Sequence, residues 1–113
     1  MTRTEYDVVA LGELLIDFTT QSTDSDGYPT MAAHPGGAPA NFLAAIAKFG
    51  GKAALLGKVG TDTFGKLLTD TLRKAGIETK GLVASDEFFT TLAFVTLDEN
   101  GDREFAFARK PGA

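Results

Sequence analysis

Apolar residues along this chain follow two spacings, and glycines mark most of the changes between them. Residues 7–11, DVVAL, form a short continuous apolar run ending at Gly12, which reads as a buried strand. From Glu13 to Thr20 the pattern alternates, with Leu14, Ile16 and Phe18 on one face and Asp17 and Thr19 on the other. That predicts a half-exposed strand with a carboxylate in its middle. Residues 21–33, QSTDSDGYPTMAA, are polar, carry Gly27 and Pro29, and read as a loop with a short strand near Thr30–Ala33. His34 follows as a surface side chain in that loop.

The period then becomes helical. Pro39 suits a first turn, Phe42, Ala45, Ile46 and Phe49 recur at i, i+3, i+4 and i+7, and Gly50 supplies a left-handed cap. Lys52–Val59 predicts another buried strand, and Asp62 is placed to cap a second helix. The apolar stripe of that helix is Phe64, Leu67, Leu68, Leu72 and Ala75, with Arg73 and Lys74 in the last turn and Gly76 beyond it. A βαβα order of this kind implies a parallel sheet with right-handed crossovers. Gly81–Ser85 reads as a short strand. Thr90–Leu97 and Arg103–Ala108 flank Asp98–Asp102, whose Asn100-Gly101 pair signals a hairpin. Phe105, Phe107 and Arg109 share one of its faces. So apolar a hairpin should pack on the Glu13–Thr20 strand or on another subunit.

Candidate chemistry concentrates in residues 36–65. Gly36-Gly37 opens onto a helix start whose unpaired amides suit hydroxyls, carboxylates or phosphates. Asn41, one turn inside, is either an ordinary first-turn polar residue or part of that site, and the glycine pair ahead of it favours the site. Asp17 has two readings as well. A lone aspartate is ordinarily a solvated charge, but among Leu15, Ile16 and Phe18 a ligand or hydrogen-bonding role stands equally beside it. Gly60–Leu67, GTDTFGKL, nearly spells a P-loop after a strand and before a helix. Leu67 replaces the magnesium-binding hydroxyl and Asp62 would face phosphate with a carboxylate, so the P-loop is rejected.

Composition narrows the classes. The 113 residues make at most one domain, 43% of them apolar, a globular proportion. No apolar run approaches the ~20 residues of a membrane span, and the N-terminus has no signal-peptide core. With no cysteine and one histidine, disulfides and the usual zinc sites are excluded. A net charge of −4 offers nucleic acid no basic stripe. A cytoplasmic protein acting on a small molecule, with neither nucleic acid nor membrane as partner, is the expectation.

The motifs GELLID (12–17), GGAPAN (36–41), Gly50, Gly60 with Asp62 and Gly65, TTLAFV (90–95) and FAR (107–109) resemble the N-terminal part of the ribokinase-like, phosphofructokinase-B type carbohydrate kinases, most of all bacterial fructokinases. Leu43 departs from the small residue usual there. The resemblance spans essentially the whole chain. It implies an α/β fold with an incomplete parallel βαβα body, about residues 5–12 and 37–81, and a small β-sheet lid, about 13–36 and 82–110. It further implies a sugar held by Asp17, Gly36, Gly37 and Asn41, with Ala93, Phe107 and Arg109 as lid residues facing it. The family's catalytic aspartate lies in a C-terminal Gly-Ala-Gly-Asp turn that this sequence lacks. The chain is therefore expected to be an N-terminal fragment, inactive alone, with ATP and Mg2+ bound mainly by the missing part. The implied reaction is ATP-dependent phosphorylation of a small sugar, fructose first, with 2-keto-3-deoxygluconate and ribose as alternatives. The implied lid also offers a homodimer surface. A non-catalytic sugar-binding or lid-dimerisation module is the competing reading.

Overall fold

In the computed structural model, which describes residues 5–113, the strands form two separate sheets. The elements run β1 (Val8–Leu11), β2 (Leu15–Thr23), β3 (Pro29–Gly36), α1 (Ala38–Lys48), β4 (Ala53–Gly60), α2 (Thr63–Lys74), β5 (Ile77–Glu78), β6 (Leu82–Ser85), β7 (Leu92–Leu97) and β8 (Arg103–Ala108). β4 is the centre of the first sheet. It pairs in parallel with β1 on one edge and, on the other, with β5 and then β6 further along. The second sheet has the order β3-β2-β7-β8, antiparallel except for the parallel β2–β7 pair.

Both helices cover one face of the parallel sheet. Ala40 and Leu43 from α1 and Leu68 and Leu72 from α2 pack against Ala53, Leu55, Val59 and Ile77. Leu43 is fully buried at the middle of this core. The opposite face carries Val9, Leu11, Leu56 and Val83, all exposed, with Leu11 79% accessible.

Several expectations are corrected. The α1 stripe turns inward on Ala40, Leu43, Ala44 and Ala47, with Ile46 at its margin, rather than on Phe42, Ala45, Ile46 and Phe49. Phe42 is 53% and Phe49 88% exposed. The reason is distance: α1 lies over Ala10 and Ala53, and small side chains allow a close approach that phenylalanine would prevent. Phe49→Ala is thus expected to change stability by less than about 0.5 kcal/mol in urea unfolding. A loss of core-like size, about 3 kcal/mol, would restore the original stripe.

The region from Gln21 to Ala33 is mostly strand, not loop. β2 and β3 form a long hairpin closed over residues 24–28, where the Asp24 Oδ1 accepts from the Asp26 and Tyr28 amides at 2.9 and 2.8 Å. His34 lies on β3 rather than in a loop. Leu82–Ser85, grouped by sequence with the lid, belongs to the parallel sheet. The β7–β8 hairpin forms with Gly101 at φ 82°, and β7 packs beside β2 as expected.

Candidate functional site

The mixed sheet rests on the body by one face only. Phe18 and Phe94 stack at 5.3 Å between ring centroids, and Phe64 of α2 meets Phe18 edge-on at 5.4 Å. Because strand side chains alternate, anchoring that face leaves the other one open. On the open face the register sets one row across four strands: His34 opposite Asp17, Asp17 opposite Ala93, and Ala93 opposite Phe107. Asp17, Ala93 and Phe107 thus share one row, in which Ala93 is itself fully covered, and His34, read from the sequence as a surface side chain, joins the row beside Asp17.

The glycine loop adjoins Asp17 directly. Any Cβ at Gly36 would collide with the Asp17 Oδ2, so only glycine lets the carboxylate lie over this backbone. Gly37 sits at φ 113°, and a Cβ there would collide with the Glu13 carbonyl oxygen, so the position is closed to side chains on both counts. It is the N-cap of α1, and no side chain caps that helix. The Ala38 and Ala40 amides of the first turn are therefore left without a side-chain acceptor, and Pro39 has no N–H to satisfy. The Asn41 amide N–H is used by the Gly37 carbonyl at 3.2 Å, whereas its exposed side chain makes no hydrogen bond among the described residues.

Arg109 lies farther along. Its Nη1 meets the Glu13 Oε1 at 3.3 Å, and its guanidinium stands 4.2 Å over the Phe107 ring. Both partners of this ion pair are roughly 40% exposed, so it orients the arginine more than it stabilises the fold. Phe107 and Arg109 line a concavity of about 500 Å³ with Phe89 and Pro111. Asp17 and His34 line another of about 360 Å³ with Thr19, Val95, Arg103 and Phe105. Of the expected residues, Asp17 thus lines one concavity and Phe107 and Arg109 another, while Gly36, Gly37, Asn41 and Ala93 line neither.

The start of α2 is closed. Asp62 accepts from the Gly65 N–H at 2.8 Å, the Thr90 N–H at 2.9 Å and the Thr90 hydroxyl at 2.8 Å, while the Gly60 N–H donates to Thr90 Oγ1 at 3.0 Å. Burial pushes the Asp62 carboxyl up, but the Thr90 and Gly65 donors outweigh it and hold the group below the ordinary carboxylate range. With its donors spent and a carboxylate in place, this turn does not fit a nucleotide phosphate. Thr90, read from the sequence as the start of a strand and of the TTLAFV motif, is buried where the chain enters the mixed sheet, and its pairing with Asp62 has no local sequence signal.

An α/β layer carrying a mixed sheet, whose open face adjoins a glycine loop at a helix start, is the ribokinase-like arrangement. The chain belongs to the pfkB family of carbohydrate kinases, whose model matches residues 6–113. It is 46% identical over 111 residues to fructokinase-2 of Oryza sativa subsp. japonica, covering 94% of this chain and 32% of that protein. Crystal structures of a fructokinase from Xylella fastidiosa are similar to it at 40% identity. One superimposes with a TM-score of 0.88 over 94% of this chain and 33% of that one. Another, with bound ATP, gives 0.85 over 94% and 31%. The chain spans about a third of the length of the relatives it matches. Among the described residues no helix is long and apolar enough to cross a membrane.

Proposed function

We propose that this chain is the sugar-binding N-terminal part of an ATP-dependent sugar kinase, with fructose as the substrate. The observation that carries the reading is the Asp17 carboxylate lying over Gly36, beside the uncapped start of α1 and in one row with Ala93 and Phe107. A carboxylate accepts from sugar hydroxyls, and backbone amides donate to them. Asn41 adds a side chain able to do both, and Phe107 offers an apolar surface to the sugar's C–H face. Arg109, held by Glu13 and Phe107, edges the site. The fructokinase relatives support the sugar, and the ATP-bound structure from Xylella fastidiosa supports ATP as donor.

The role of this chain is to bind and orient the acceptor hydroxyl. ATP, bound with Mg2+ by parts beyond these 113 residues, supplies the phosphoryl group. The mixed sheet acts as the lid over the sugar. The exposed row of Val9, Leu11, Leu56 and Val83 seats the remainder of the kinase.

The test joins this chain to the C-terminal two thirds of the Xylella fastidiosa fructokinase. In a coupled assay the chimera is expected to turn over ATP with D-fructose, and the 113-residue chain alone is not. A folded chimera that phosphorylates none of fructose, ribose and 2-keto-3-deoxygluconate would defeat the proposal.

A further inference from the structure

We infer that His34 is a second sugar-contacting residue, a hydroxyl donor beside the Asp17 acceptor that helps set which sugar is held. The inference rests on the reading of the Asp17 face as the sugar site and extends it to a residue outside the family motifs quoted above. His34 and Asp17 are directly opposite in the antiparallel β2–β3 pair. Residues so placed share a face, with Cβ atoms about 5 Å apart. Both line the concavity of about 360 Å³, floored in part by Val95 and Phe105. Neither makes a side-chain hydrogen bond to another described residue, although they stand side by side on the open face.

The chemistry is complementary. An ionised carboxylate only accepts, whereas a neutral imidazole has one donor and one acceptor nitrogen. Adjacent sugar hydroxyls each donate and accept, so a carboxylate and an imidazole one strand apart can read a pair of them. The Asp17 Oδ2 lies over Gly36, two residues along β3 from His34. The carboxylate therefore lies between the Gly36 backbone and the strand position of His34. Such a line of polar groups above an apolar floor is how small-ligand sites fix orientation. A sugar lacking the hydroxyl that meets His34 forfeits that contact, which makes the residue a selector as well as a binder.

His34 is the sole histidine, so its imidazole NMR signals need no assignment by mutagenesis. D-fructose is titrated over the millimolar range into the 113-residue chain, following the imidazole and the amides of Gly37 and Asn41. The expected result is saturable movement of all three with one Kd. His34→Ala should weaken that Kd by about fivefold, the size of one neutral hydrogen bond, and His34→Asn should recover part of it. An unchanged Kd in His34→Ala overturns the inference, whatever the imidazole signals do. Amide shifts with a silent imidazole overturn it too, and both results leave the sugar site standing. No response at any of the three positions removes the sugar site and this inference together.

Discussion

Replacing Asp62 by alanine is expected to destabilise the chain by about 2–4 kcal/mol, a large share of a small domain's stability of about 5–15 kcal/mol. Two losses combine. The helix α2 loses its N-cap, since the Gly65 N–H donates to Asp62 at 2.8 Å. Removing such a cap costs about 0.5–2 kcal/mol. The Thr90 amide and hydroxyl, on a residue 1% exposed, lose their acceptor as well. A buried donor left unmatched costs about 1–3 kcal/mol. The melting temperature should fall on the order of 10 °C or more. A drop of only a degree or two would mean that the β7 junction is held by something else.

The same carboxyl gives a dependence on pH. Its folded value is depressed, so the protonated form is the one that folding disfavours. Its contribution is present in full above the unfolded value of about 3.9 and fades as pH falls through the lower folded value. Asp62→Asn removes the titration while keeping one acceptor. The difference between the wild-type and Asp62→Asn stabilities should therefore be flat above about pH 5 and shrink toward pH 3. A gap that stays constant across that range would show that Asp62 is not the titrating group.

Much of this architecture is legible in the sequence because strong local signals agreed with the fold. The apolar run before Gly12, the caps at Asp62, Gly50 and Gly76, and the hairpin around Asn100-Gly101 all lie where spacing and turn chemistry put them. The α1 stripe failed for a physical reason. Pattern reading weighs large apolar residues, but a helix packed closely on an alanine-lined sheet buries its small ones and turns Phe42 and Phe49 outward. The β2–β3 hairpin failed differently. Ser22, Thr23 and Thr30 are polar because both of their faces are wet, so no alternation marked them as strand. At the site, Asp17 and the glycine loop were visible as motif and as anomaly. Ala93 came only with the family resemblance, and His34 not at all, because a strand register sets beside Asp17 residues that no local pattern links to it.

Asp17→Asn, placed in the chimeric kinase, is expected to lower kcat/KM for D-fructose at least tenfold while leaving the melting temperature nearly unchanged. The first half follows from the chemistry of the acceptor. A hydrogen bond to a charged group contributes about 1.5–3 kcal/mol, and each 1.4 kcal/mol is a factor of ten. Asparagine keeps the size but loses the charge and replaces one acceptor oxygen with a donor. The second half follows from how little the protein itself asks of this side chain. Asp17 makes no side-chain hydrogen bond to another described residue, in contrast to Asp62, which is bound by three donors. The contact of Asp17 with the Gly36 backbone is steric and survives the change of charge. The two aspartates thus separate a capping role from a binding one. One should fail in the melt with its chemistry secondary, and the other should fail in the assay with its fold intact. If Asp17→Asn keeps full activity, the carboxylate over the glycine loop is a surface charge and the sugar must be held elsewhere. If it loses activity only together with the fold, the residue is structural and the site assignment falls on that ground.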